Sequence, residues 1–141
     1  MIKLILIASM AINLIIFSIN GAQADDRIKH YEAFKPKNNK QAIEGLQQYS
    51  IKINEIIAHD KELNQQDLEA IHELTYGLEA SHEFLMQDKD DAKKLGLFDI
   101  VSLGKAINKL HNVSEDHNID ETLVAYQQLK EQMKVNHILA K

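Results

Sequence analysis

The chain has 141 residues, a formal net charge of -5 and no cysteine. The missing thiols exclude disulfides, iron–sulfur clusters, thiolate zinc sites, a Cys nucleophile and covalently attached haem. The acidic balance argues against nucleic acid as a partner, and one Pro with five Gly is too little turn material for an all-β fold.

The chain opens with a leader pattern. Met1-Ile2-Lys3 is a short positive start, Leu4 to Phe17 is an apolar run broken by Ser9 and Asn13, and Ala22-Gln23-Ala24 offers small side chains before a cut. Residues 1–24 are therefore expected to be a signal peptide cleaved after Ala24. The run is short of the roughly 20 apolar residues that a membrane span needs. A periplasmic location follows, with no membrane association after cleavage. Residues 25–38 are polar, contain Pro36 and predict an irregular arm.

Four helical segments are predicted over 39–141. The first covers Asn39 to His59, with Ile43, Leu46, Tyr49, Ile53, Ile56 and Ile57 on one stripe. The second opens on the cap candidate Asn64 and runs to about Gln87, with Leu68, Ile71, Thr75, Leu78, His82, Leu85 and Met86 inward. The third covers about Ala92 to Ser114 and carries Leu97, Ile100, Leu103, Ile107, Leu110 and His111; Gly96 and Gly104 weaken its start. The fourth starts at Asn118-Ile119-Asp120-Glu121, a capping-box-like pattern. Its stripe is Ile119, Leu123, Tyr126, Met133, His137 and Ala140. No such helix buries its stripe alone. An all-α, antiparallel up-down-up-down four-helix bundle is the expected fold.

Antiparallel threading sorts six of the seven His by height. One end collects His82, Met86, Met133 and His137. The other collects His59, His72, His111 and His117. The first group suits haem b, because haem iron takes His/Met or His/His axial pairs without a covalent link; His137 would be one ligand and Met86 or His82 the other. Gly104 offers room for a flat macrocycle. The second group suits a divalent transition metal, since imidazole and carboxylate donors favour zinc, copper, nickel or iron. His72 with Glu79, and His111 with Glu115, place such donors one or two turns apart. The Glu79-x-x-His82 motif has no second copy, which argues against a di-iron centre. Phosphate-loop, zinc-protease and serine-hydrolase motifs are absent, so a non-enzymatic binding protein is expected. A third reading is a structural or partner-binding bundle with no cofactor.

Two resemblances add to this. Gln128-Leu129-Lys130 followed by His137 is similar to the last helix of the soluble periplasmic b-type cytochromes, which are four-helix bundles. That resemblance implies haem at His137, electron transfer and a periplasmic redox partner protein. It departs at Ile43, which falls where that family's axial Met would stand. Second, His30-Tyr31-Glu32, Ile71-His72-Glu73-Leu74-Thr75-Tyr76 with Leu78-Glu79, and Leu110-His111 with Ser114-Glu115 resemble the recurring blocks of a family of small, exported, uncharacterised bacterial helical proteins. It raises interest in His30, His72, Glu79 and His111 as a set, with His30 joining them if the arm folds back. The oligomeric state is not indicated.

Overall fold

A computed structural model describes residues 34–59 and 62–139, and every regular element among them is helical. The helices are α1 (Asn39–His59), α2 (Gln65–Met86), α3 (Lys89–Lys94), α4 (Ile100–Glu115) and α5 (Ile119–Val135). The expected leader and most of the expected arm lie outside the described residues. Residues 34–38 are irregular, and the Phe34 ring meets Tyr49 edge-on at 5.6 Å. None of the described helices is long and apolar enough to cross a membrane.

Caps fix the helix starts. Asn64 accepts from the Gln66 and Asp67 amides at 2.8 and 3.2 Å, and its own amide donates to Asp67 Oδ2 at 2.8 Å. That is a reciprocal capping box. Leu63 before the cap and Leu68 after it are both buried, in the positions of a hydrophobic staple. Asp99 and Asn118 cap α4 and α5 through Ser102 and Glu121 amides.

The long helices alternate in direction. Ser81 lies over Gly45 and Tyr49 over Gly77, which sets α2 antiparallel to α1. His82 reaches Ile100 and Thr75 reaches His111, which sets α4 antiparallel to α2. Lys109 pairs with Glu121 and Asn136 with Asp99, which does the same for α5 and α4. Tyr126 Oη donates to the Ser50 carbonyl oxygen at 3.1 Å inside the core, joining α5 to α1. Burial pushes the Tyr126 phenol up, partly offset by that bond. A buried phenol needs such a partner, since an unmade bond there costs about 1–3 kcal/mol. The stripes meet in a core that contains Leu46, Ile53, Ile71, Leu78, Leu103, Ile107, Leu110, Leu129 and Met133. Each such side chain contributes about 1.5–3 kcal/mol by leaving water.

Two expected elements are corrected. The third segment is not one helix. It breaks after Lys94, with Gly96 at φ 87° and the Gly96 and Leu97 amides donating back to Lys93 and Ala92. This is a Schellman end, whose left-handed residue suits glycine. Leu97 keeps its inward place from the loop, buried among the core residues. The fourth segment stops at Val135. His137 has φ 54°, and the amides of His137 and Ile138 donate to Lys134 and Met133. The turn hands the inward position to Ile138, which is buried, and leaves His137 exposed.

Candidate metal centre

One face of α2 carries His72, Thr75, Tyr76 and Glu79, spaced 3, 1 and 3 residues apart, as neighbours one turn apart must be on a helix. That face meets His111 on α4. The His72, Tyr76 and His111 rings form a triangle: His72–His111 at 4.7 Å, Tyr76–His111 at 5.1 Å and His72–Tyr76 at 5.2 Å between centroids. Glu115 follows His111 by one turn at the end of α4. His72, His111 and Glu115 each offer a ligand-type atom, and all three atoms lie within 4.8 Å of one another.

The polar contacts settle the tautomer of His111. Its Nδ1 lies 2.9 Å from Glu79 Oε1 and 3.1 Å from Thr75 Oγ1. The single Thr75 hydroxyl hydrogen is already donated to the His72 carbonyl oxygen at 2.6 Å, so only its lone pairs face the ring. An ionised carboxylate is likewise acceptor-only. In the neutral imidazole, Nδ1 therefore carries the hydrogen and Nε2 the lone pair. Nε2 lies 3.8 Å from Glu115 Oε2. A carboxylate holding the far N–H of an imidazole is the usual support of a metal-binding histidine.

His72 Nε2 is buried and has no hydrogen-bond partner. Thr122 Oγ1 and Gln132 Oε1 share that condition; His72 differs in being one of three clustered donors. A buried nitrogen without a partner costs about 1–3 kcal/mol, and an ion is one of the few things that can satisfy it. Burial raises the Glu79 carboxyl above its ordinary value, and the nearby Glu83 adds to this. The attraction of His111 and His72 and the bond from His111 offset it in part.

The donor set matches borderline divalent metals, for which imidazole and carboxylate are common ligands. Bonds of about 2.1 Å at tetrahedral angles put ligand atoms about 3.4 Å apart. The His111–Glu115 pair, at 3.8 Å, is near that spacing, and no pair in the set has to close by more than about 1.4 Å. Glu115 has the freedom to do so, because its side chain is 62% exposed against 16% for His111.

The other expected residues are placed differently. His82 points its Nε2 at the Ile100 carbonyl oxygen, 2.8 Å away, and its ring covers Gly104. The space that Gly104 was expected to leave for a macrocycle is filled by that imidazole. Met86 shares with His82 a groove of about 520 Å³, also lined by Glu79, Glu83, Gln87 and Asn108. Met133 is sealed in the core, and His137 rests on the surface with its ring 5.9 Å from Phe98. Asn136, which the sequence reading passed over, is buried and bonds the Asp99 amide and carbonyl and the Gln132 carbonyl. It ties together the end at which haem was expected. The described contacts do not join His82, Met86, Met133 and His137 in one site. At the other end His117 lies 3.4 Å from Glu69, and His59 is exposed at the end of α1. His30 lies outside the described residues.

The His72–Glu79 and His111–Glu115 stretches lie in two of the three blocks that resemble an uncharacterised family, the third being His30-Tyr31-Glu32. No curated protein and no solved structure matches the chain. A family model does match, over residues 1–136, and the chain belongs to that family, a family of unknown function (DUF6746).

Proposed function

We propose that this protein is a small, exported, non-enzymatic module that binds one divalent transition metal through His72, His111 and Glu115. The observation that carries the reading is the pairing of two facts at one place. His111 has its Nδ1–H held by Glu79 and its Nε2 lone pair turned toward Glu115. His72 beside it has a buried ring nitrogen with no partner. An ion coordinated there satisfies that nitrogen and neutralises Glu115. Glu79 then acts from behind, keeping His111 in the ligating tautomer.

Haem b and electron transfer are not carried forward. His82 is spent on Ile100, Met133 is in the core and His137 is the left-handed residue of a helix end. A periplasmic redox partner loses its rationale with them. The leader pattern supports export, and the exported chain should begin at Asp25 by mass.

Zinc, copper and nickel titrated calorimetrically into the purified mature chain test the reading. One ion per chain is expected, with a rise in melting temperature. His111→Ala should abolish both. Heat-silent titrations with no thermal shift for any of the three metals sink the proposal and leave a structural bundle.

A further inference from the structure

Three donors do not fill the coordination sphere of the metals named above. Structural zinc sites use four protein ligands, whereas three-ligand sites keep a position for water or substrate. Glu79, a further carboxylate beside the cluster, is engaged at His111 Nδ1. That atom is on the opposite side of the ring from the lone pair at Nε2, so Glu79 cannot also ligate an ion held by Nε2. Thr75 is engaged at the same Nδ1. The flank of the cluster formed by Tyr76 and Glu115 is open to solvent, with Tyr76 itself 48% exposed. Among the described residues Glu115 is then the one anionic ligand, so a divalent ion keeps positive charge toward that open flank.

We infer that the metal held by His72, His111 and Glu115 keeps one exchangeable position on its solvent side, occupied by water at rest and taken by small anionic donors. This rests on the metal-binding reading above and says what kind of centre it is. A closed site would make the ion a staple for α2 and α4. An open one makes it a place where a second molecule meets the metal. Such a position also acidifies its water, because a bound divalent ion stabilises hydroxide.

Cobalt(II) loaded into the full chain tests this, since its visible bands report coordination geometry. Azide is the probe. A saturable, one-to-one change in the bands with cobalt retained is the expected result. Bands that form and ignore azide overturn the inference and leave the metal reading intact. If His30→Ala then restores sensitivity to azide, the His30 imidazole is the fourth ligand and the centre is closed. Azide that strips cobalt from the chain also overturns it, because azide then displaces the protein ligands instead of joining them. Failure of any bands to form overturns the inference, and together with heat-silent zinc, copper and nickel titrations it removes the metal reading as well.

Discussion

His72 and His82 sit ten residues apart on α2, and both face α4. They are opposites in chemistry. The His82 Nε2 bonds the Ile100 carbonyl oxygen at 2.8 Å and the ring fills the cleft over Gly104. The His72 Nε2 is buried with no partner, in a cluster of donors that converge without touching. An inward histidine becomes a site candidate when its second nitrogen is left over. When that nitrogen is satisfied by a carbonyl, the ring is packing material.

Replacing each ring with phenylalanine should separate the two most sharply. His72→Phe is expected to weaken metal binding about 100-fold or more while leaving the metal-free chain at least as stable, because it deletes an unsatisfied buried nitrogen. His82→Phe should do the reverse. It loses the bond to Ile100 and crowds Gly104, at about 2 kcal/mol, with metal affinity unchanged. Calorimetric titration and urea unfolding of both variants check this. If the two behave alike, the distinction between the two histidines is wrong.

Gly104→Ala attacks the packed side alone. A Cβ there would lie 2.6 Å from His82 Nε2, so the ring must leave its place over the helix. Overpacking of this kind costs about 1–3 kcal/mol, read as a lower urea midpoint. The metal titration should be unmoved, since His72 and His111 are farther along both helices.

Glu79→Gln sharpens the other side. Gln keeps an acceptor for the His111 Nδ1–H but lacks the charge. Metal affinity should fall about tenfold, at the low end for supporting carboxylates. The same variant has a signature in pH. Burial raises the folded-state pKa of Glu79, so the folded metal-free chain holds this proton more tightly than the unfolded chain. Stability from this group therefore falls as pH rises from the ordinary carboxylate value through the raised one. Urea midpoints across that acid range should decline less in Glu79→Gln than in the parent chain.

Helix positions and core stripes were legible in the sequence because a 3.6-residue period of apolar side chains has one packed solution. α1 matches its expected bounds, Asn39–His59, and the alternating direction of the long helices follows from short connections. The juxtaposition of His72 with His111 was legible for the same reason, as both lie at one height on facing helices. Glu115 was visible as a partner of His111 one turn on. What could not be read was where a polar side chain finds its bond. Periodicity put His82 on the inward stripe and His72 only at its edge. It had no means to show that Ile100 exposes a carbonyl to one and that nothing meets the other. Asn136 was missed because a polar residue after a helix looks like a turn until its partner Asp99, 37 residues away, is in place.

His137 is where periodicity failed outright, and it supplies the smallest and most direct test. Its place on the stripe made it an inward ligand by extrapolating α5 past Val135. The backbone instead reverses at φ 54°, and the bonds from His137 and Ile138 to Lys134 and Met133 close the helix end. A left-handed backbone costs an L-residue roughly 1–2 kcal/mol, a penalty that glycine escapes. Glycine also loses some unfolded-state restriction, which reduces the gain. His137→Gly should therefore stabilise the chain by somewhat under about 1 kcal/mol, a rise of a few degrees in melting temperature. The ring makes only a surface contact with Phe98, too little to offset this. An axial haem ligand would respond in the opposite way, with loss of a Soret band and of stability in the presence of haem. A melting temperature that rises in His137→Gly, with metal binding at His72 and His111 unaltered, confines His137 to the helix end and keeps the chemistry between α2 and α4.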